Sequence, residues 1–379
     1  MRLSSRSASI IVALWFAATA LLGEARGELL RFRPLGQPTA AKEEAARKIN
    51  ELMLFQDRLY LGHGDWFKDT GPTDVIYYDF AQQKFVNEYT VDEEAIVRYR
   101  RYGNRLYLPG ADSTESWEFG NLYVHEASGW KKHRTIPRGL HVFDFAEFTD
   151  RWYVATGSYI GPSEGRPAIG AIYSSEDQGA TWRYEFTTPS AFGAVYRLTA
   201  LMPYKGRLFA FGYADGPMAR ESTPEQNQSD DGKQYNRVAR SFVHDGGGWF
   251  RADIVSASLV QTIEPHVFGD HLLLCARIGR YGDQFKNQWQ LFAHDGKNTR
   301  RVPLECDQIV DTLVKNDRLM LLLARQGKYS LVESTDLAHW THRDLAPDIK
   351  RPLSIEYDGT SYYLGLADGT VLAATASVD

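Results

Sequence analysis

The loop from Gly62 to Trp66 combines residue types that could bind a polar ligand. Glycines at positions 62 and 64 let the backbone turn tightly, so His63, Asp65 and Trp66 can be presented together. A sugar ring would stack on the Trp66 indole and form a hydrogen bond with Asp65. The alternative is that His63 and Asp65 only stabilise the loop while Trp66 packs on its neighbour.

A second segment, 109–120, repeats the combination of carboxylates with tryptophan. Asp112 and Trp117 lie there, with Glu115 and Glu118 close by in the chain. We expect Asp112 and Trp117 to extend the same ligand-binding surface. An ordinary solvated loop is the alternative.

Proton-transfer chemistry could come from histidine, tyrosine and arginine residues in the predicted inner strands. A polysaccharide lyase needs a His or Tyr to move a proton beside a uronate carboxylate, and a cation to neutralise that carboxylate. The catalytic candidates are His141, Tyr196, Arg197 and His266, and Asp144 and Glu264 are further ligand-binding candidates. For each of them the alternative is a polar residue that merely lines a water-filled channel.

Two other chemistries fit the sequence less well. Sialidases need three converging arginines, and Arg98, Arg197 and Arg351 could converge, but nothing in the pattern specifies them. For metal binding, His63, Asp65 and Asp69 are too loosely spaced to select an ion. We therefore predict no metal site and no cofactor.

A repeated pattern predicts the elements that position these residues. A turn residue, a polar residue and an apolar strand recur seven times, with the polar residue at positions 58, 105, 151, 207, 271, 318 and 361. Blades of a β-propeller take about 40 to 50 residues each, so the two longer steps indicate loop insertions. The pattern predicts an all-β, seven-bladed propeller with four-stranded antiparallel blades.

The turns between the third and fourth strands carry a second pattern. Residues 175–182 read Ser-Glu-Asp-Gln-Gly-Ala-Thr-Trp, and residues 334–340 read Ser-Thr-Asp-Leu-Ala-His-Trp. An aspartate can accept backbone N–H groups of its own turn, glycine allows positive φ, and tryptophan packs on the sheet. We therefore expect structural roles for six residues: Ser175, Asp177, Gly179, Trp182, Asp336 and Trp340.

The first of these segments resembles the Asp-box, and the chain resembles the Asp-box (BNR-repeat) β-propeller superfamily. That superfamily includes sialidases, sortilin-type receptors and polysaccharide lyases, so the resemblance implies a fold without naming a function. It covers the repeat architecture of the whole mature chain but includes no recognisable active site. It also implies that the boxes lie on the face opposite the ligand.

The longest connections should gather at one end of the ring. They are predicted at 62–74, 109–120, 156–170, 212–240 and 276–288. We call this end the long-loop face: it carries the links from second to third strands and from blade to blade. The strand Glu28–Arg33 is expected to complete the last blade, and a short helix is expected at Thr39–Leu52.

The N-terminus predicts export. A basic start, an apolar run from Ile10 to Leu22 and small residues after it are typical of a cleaved signal peptide at residues 1–27. The run is too short for a membrane helix, so no stable membrane span is expected after cleavage. Residues 28–379 then form one propeller domain in a secreted or periplasmic protein. Cys275 and Cys306 either form a disulfide or remain buried thiols.

The composition limits the classes of partner that we expect. The net charge of −5 comes from mixed signs without a basic patch, which argues against nucleic acid. The leading hypothesis is an exported recognition propeller that binds a carbohydrate or a protein at the long-loop face. The alternative is a carbohydrate-active enzyme that uses the same face. Among such enzymes, a polysaccharide lyase is favoured over a glycoside hydrolase or a sialidase. A purely structural partner in an extracellular assembly is a third possibility.

Overall fold

The computed structural model describes most of the chain. The described residues are 25–26, 29–159, 168–188, 195–215, 227–228, 234–235, 237–252, 254–255, 259–262, 265–278 and 288–375. The predicted signal peptide, apart from residues 25–26, lies outside these ranges, and so does the predicted ligand residue Glu264.

The protein is an all-β, seven-bladed propeller of four-stranded antiparallel blades. The first three blades consist of Glu51–Phe55, Arg58–Gly62, Thr73–Asp79 and Lys84–Val91; Arg100–Tyr102, Arg105–Pro109, Phe119–Glu126 and Gly129–Pro137; and His141–Phe148, Arg151–Tyr159, Ala168–Ser175 and Arg183–Thr187. The fourth and fifth consist of Val195–Tyr204, Arg207–Asp215, Arg237–His244 and Trp249–Arg251; and Leu259–Thr262 with His266–Phe268, His271–Ile278, Gln288–His294 and Thr299–Val302. The last two contain Gln308–Lys315, Arg318–Arg325, Lys328–Ser334 and Thr341–Asp344; and Pro352–Tyr357, Ser361–Leu366 and Val371–Thr375. Asn227–Gln228 and Gln234–Tyr235 form a separate two-stranded ladder.

The predicted sevenfold repeat is confirmed strand by strand. The second strands begin at Arg58, Arg105, Arg151, Arg207, His271, Arg318 and Ser361, the seven positions that the pattern marked. Several of the preceding turns hold two residues at positive φ, for example 50° and 56° at Gln56 and Asp57. Such mirror-image turns match the twist of an antiparallel hairpin, which explains why turn residues precede every repeat.

The N-terminus closes the last blade, as predicted, but with a later strand. Arg33–Gly36 pairs antiparallel with the strand Val371–Thr375, with Arg33 opposite Ala373. Leu30, from the segment predicted to pair there, forms a parallel bridge with Leu345 beside the sixth blade. Ala25–Arg26 also pairs in parallel with the fourth strand of that blade.

The predicted helix at Thr39–Leu52 is wrong. Only a single 3-10 turn forms, at Ala45–Arg47, and the first blade begins at Glu51. Thr39 does not cap a helix, because its Oγ1 donates to the carbonyl of Arg47 at 2.8 Å. Ile49 is fully buried between the last and first blades and donates its backbone N–H to Leu366. Tertiary packing therefore outweighs the helical propensity of this segment.

The core is divided among the blade boundaries. In the described part of the chain, seven apolar clusters each join two neighbouring blades. Between the third and fourth blades, for example, Ala146 and Tyr153 pack against Leu198 and Leu208. Because both faces of each sheet are covered in this way, the strands carry continuous apolar runs.

Inner-strand carboxylates tie adjacent blades together. Asp144 accepts the backbone N–H of Leu201 at 2.7 Å, and Asp311 accepts that of Ile355 at 2.8 Å. Asp144 is fully buried and also pairs with Arg98 and Arg100. Since its oxygens are occupied by these partners, Asp144 holds the ring together, and the structure places it away from solvent.

The two cysteines are free thiols. Cys275 is buried, with Sγ 3.2 Å from Thr312 Oγ1, and Cys306 is partly buried. Of the two alternatives left open by the sequence, the structure shows the thiols.

Candidate functional site

His141 begins the inner strand of the third blade at the long-loop face. Its Nδ1 lies 2.7 Å from the carbonyl oxygen of Ala111. A carbonyl only accepts, so Nδ1 carries the hydrogen and Nε2 keeps a free lone pair. Nε2 makes no hydrogen bond to any residue that the structure describes. Burial, and then the charge of Arg197, lower the pKa of His141 to about 4. The imidazole is therefore neutral at neutral pH and can accept a proton.

Arg197 lies in the inner strand of the neighbouring fourth blade, directly across the ladder from Tyr213. Its guanidinium donates one hydrogen bond to the Tyr213 hydroxyl at 3.2 Å. It forms no ion pair with any described residue, and its buried Nε lacks a partner there. A partly buried arginine with unused donors is suited to binding an anionic group.

Gly157 lets these two blades approach each other. It stands opposite His141 in the ladder of the third blade. A Cβ at position 157 would lie 3.4 Å from both His141 Cδ2 and Arg197 Cγ, and 3.1 Å from Phe143 Cε2. The missing side chain therefore leaves the space in which His141 and Arg197 meet.

Aromatic rings form one wall of this site. The His141 ring stacks on Phe143 with centroids 5.2 Å apart, and Trp66 meets Phe143 edge-on at 6.5 Å. Phe67, next to Trp66, is 81% exposed. Trp66 thus connects the loop of the first blade with the inner strand of the third.

Carboxylates also lie near His141. Asp112 Oδ1 lies 3.5 Å from His141 Nδ1, and Glu94 donates its backbone N–H to the carbonyl of Asp112 at 2.8 Å. Burial raises the pKa of Asp112 to about 6, although Arg197 acts against the rise. Burial, Asp112 and Asp69, whose carboxyl contacts that of Glu94, raise the pKa of Glu94 to about 7. The sequence did not select Glu94, because nothing in its local pattern separates it from the surrounding acidic residues.

The structure brings together His141, Arg197, Asp112 and Trp66 from the sequence-based candidates, and it adds Tyr213. Tyr213 was missed because the predicted loop began at Gly212, whereas the strand continues to Asp215. The alternation of Phe209, Phe211 and Tyr213 was the signal for a longer strand.

Several candidates have structural surroundings instead. His63 is buried with Nε2 2.9 Å from the carbonyl of Asp74. Asp65 accepts the backbone N–H of Phe67 and pairs with Lys48 at 3.0 Å, so it stabilises its own loop. Tyr196 is 8% exposed and, as the neighbour of Arg197 in a strand, points to the other face.

Among the described residues, neither His266 nor Trp117 forms a hydrogen bond, an ion pair or a ring contact with His141. His266 lies in an inner strand of the fifth blade, where burial, Arg100 and Arg98 lower its pKa to about 3. Trp117 is 54% exposed in the loop of the second blade.

The predicted turn residues make the expected contacts. Gly179, at φ 82°, donates its backbone N–H to Ser175 Oγ, and Thr181 donates its own to Asp177 at 2.9 Å. The Trp182 indole donates to Thr135 of the preceding blade at 3.0 Å. In the second turn, Asp336 accepts the backbone N–H groups of Ala338 and His339 at 2.8 Å. Trp340 packs against the cluster between the fifth and sixth blades.

The described residues contain neither a metal-binding cluster nor a membrane-spanning helix. They contain no group of three or more His, Cys, Asp or Glu side chains placed to hold a metal ion. Among them there is also no helix that is long and apolar enough to cross a membrane.

Comparisons with known proteins define the class of this chain by its fold. No protein-family model matches the sequence, and no curated protein matches it. Among solved structures, virginiamycin B lyase from Staphylococcus aureus is similar with a TM-score of 0.56 at 9% identity, covering 92% of this chain and 99% of that one. A polysaccharide lyase of family PL25, an ulvan lyase, gives 0.55 at 10% identity, covering 91% and 96%. A chain of the mitotic checkpoint complex gives 0.52 at 12% identity, covering 99% of both. These similarities establish a seven-bladed β-propeller.

Proposed function

We propose that this protein is a carbohydrate-active propeller that cleaves a uronate-containing polysaccharide by β-elimination at its long-loop face. One observation carries the proposal: where two blades adjoin, a tyrosine hydroxyl lies beside an arginine and a neutral histidine, and among the described residues the arginine has no ion pair and the histidine Nε2 has no hydrogen bond. These are the three groups that such an elimination requires.

Each group has a defined role. Arg197 pairs with the uronate carboxylate and thereby acidifies the neighbouring C5–H. Nε2 of His141 takes the C5 proton, and the electron pair of that bond forms the C4=C5 double bond. The bond from C4 to the glycosidic oxygen breaks, and the leaving oxygen takes a proton from the Tyr213 hydroxyl. Tyr213 then regains a proton from the imidazolium through solvent.

The lyase names of two similar structures support this proposal. At 9% and 10% identity they share only the fold with this chain, so the proposal depends mainly on the geometry of the site.

A second candidate is recognition without turnover, the hypothesis that the sequence favoured. The exposed rings of Phe67 and Trp117, in the loops of the first two blades, support it. Such rings could stack on sugars whether or not a bond is broken.

We also propose that the chain is an exported member of the Asp-box superfamily. The turn at Ser175–Trp182, with its aspartate, glycine and inter-blade tryptophan bond, supports membership. The basic and apolar N-terminus supports secretion or periplasmic localisation.

Two tyrosines and one histidine test the lyase proposal. His141→Gln should reduce the rate of unsaturated-product formation from uronate polymers by about 100-fold or more, because the base is lost, while polymer binding persists. Tyr213→Phe should also slow the reaction, whereas the matched control Tyr196→Phe should not, because Tyr196 points to the other face. Polymer binding by the wild-type protein without any product would favour the recognition candidate.

A further inference from the structure

Glu93 is a fully buried acidic residue in the connection between the first and second blades. Its Oε1 accepts hydrogen bonds from the Asn121 side-chain amide at 2.6 Å and the Tyr123 hydroxyl at 3.2 Å. Its Oε2 accepts the backbone N–H of Asp112 at 3.1 Å. Gly110 allows this close approach, because a Cβ at that position would lie 2.6 Å from Oε1. Three donors from the second blade therefore fix the carboxyl group of Glu93.

The Asp112 N–H belongs to the same peptide group as the Ala111 carbonyl. That carbonyl is the oxygen that lies 2.7 Å from His141 Nδ1. The peptide bond is trans, so its N–H and C=O point in opposite directions. One peptide group thus accepts from His141 on one side and donates to Glu93 on the other. Hydrogen bonds joined in this way polarise one another, so the bond to Glu93 strengthens the bond to the imidazole.

Other contacts leave this role to Glu93. Among the described residues, Glu93 is the acceptor for the Asp112 N–H, and the Asp112 carboxyl group is a weaker partner for the ring, since its Oδ1 lies 3.5 Å from His141 Nδ1. Burial raises the pKa of Glu93 to about 8. Oε2 is still an acceptor when the proton lies on Oε1, so the contact with the peptide persists in both protonation states.

Building on the proposed lyase function, we infer that Glu93 is a positioning residue for the base His141. Acting through the peptide group between Ala111 and Asp112, it holds the imidazole in the tautomer that has its hydrogen on Nδ1. The lone pair of Nε2 is then available to the substrate. A carboxylate that contacts a catalytic histidine directly fixes its tautomer in the same way, whereas here a peptide group stands between them.

Glu93→Gln tests the inference. Two donors converge on Oε1, so the glutamine keeps its oxygen there and turns its NH₂ group towards the Asp112 N–H, which removes the contact. We expect ¹⁵N NMR of the His141 ring to show a mixture of tautomers in place of the Nδ1–H form. The kcat for a uronate polymer should fall about tenfold, with KM unchanged because Glu93 is buried. The control Glu356→Gln alters a buried carboxyl group that accepts the Leu54 N–H at 2.9 Å, and should change neither reading.

A second substitution should reverse the effect. Adding Asn121→Asp to Glu93→Gln supplies an acceptor for the glutamine NH₂ group, so the glutamine oxygen turns back to the Asp112 N–H. The Nδ1–H tautomer and kcat should then recover. Glu93→Asp draws the carboxyl group back by one methylene group and should resemble Glu93→Gln, so it replaces that variant if the glutamine form does not fold.

The outcomes separate the inference from the proposal on which it rests. A His141 ring that keeps the Nδ1–H form in the folded Glu93 variants would overturn the inference, and so would an equal change in Glu356→Gln. Absence of recovery in the double variant, or unfolding of both single Glu93 variants, would show a structural role instead. If the unaltered protein turns over no uronate polymer, the proposed function fails, while the tautomer measurement still decides the role of Glu93.

Discussion

At the scale of single residues, the environment of His141 decides what it can do. Its Nδ1 is held by the Ala111 carbonyl, which presents Nε2 as the acceptor. Enclosure and the nearby guanidinium of Arg197 disfavour the imidazolium. A histidine in ordinary surroundings would be partly protonated at pH 6.5, but this one remains a base well below that pH.

The pH dependence of His141 follows with a definite sign. Turnover should fall as the pH is lowered through about 4, where His141 gains its proton. Because its folded pKa lies below the unfolded value, its contribution to stability is fully present above about 6.5 and is lost as the pH falls towards 4. An NMR titration of the His141 ring measures the pKa directly. Arg197→Gln should raise that pKa, since a neighbouring cation is removed. A His141 inflection near 6.5 in the unaltered protein would contradict this description.

At the scale of elements, the turns opposite the long-loop face hold neighbouring blades together. The Trp182 indole donates to Thr135 of the preceding blade and packs in the cluster between the second and third blades. The ligand is expected at the other end of the ring, so this contact should affect stability without affecting chemistry.

Replacing Trp182 tests whether this turn contributes to stability and not to chemistry. Trp182→Ala should lower the free energy of unfolding by about 2 kcal/mol, since it leaves a partly buried cavity and removes the hydrogen bond from the indole to the Thr135 hydroxyl. Denaturant melts measure this loss, and turnover at a temperature below the transition should stay unchanged. The double substitution Trp66→Ala/Trp117→Ala should behave in the opposite way, weakening polymer binding while leaving the transition in place. Unfolding of the double variant would identify those rings as packing residues.

Local patterns predicted the elements better than they predicted the site. The second strands follow from turn chemistry and apolar runs that are complete within a few residues, so all seven starts were predicted. The segment 39–52 was mistaken for a helix because burial of Ile49 between distant blades leaves no local trace. Tyr213 and Glu94 were missed for a related reason: their importance comes from Arg197 and Asp69, which belong to other strands and loops.

At the scale of the whole molecule, the ring brings residues from distant parts of the chain to one place. His141 and Arg197 belong to adjacent blades, and Asp69, Glu94 and Asp112 arrive from the first two. Closure by Arg33–Gly36 covers the strand edge of the last blade and keeps this arrangement fixed. Shared inner-strand carboxylates such as Asp311 connect one blade to the next. The site is therefore a product of ring geometry rather than of any one sequence motif.

The most direct measurement is the mass of the product formed from a uronate polymer in ¹⁸O-labelled water. Elimination breaks the bond from C4 to the glycosidic oxygen without taking oxygen from solvent. We therefore predict unsaturated chain ends that carry no label. Saturated ends containing ¹⁸O would indicate hydrolysis, and intact polymer across a panel of uronate substrates would indicate recognition alone. Either result would contradict a lyase built from His141, Arg197 and Tyr213.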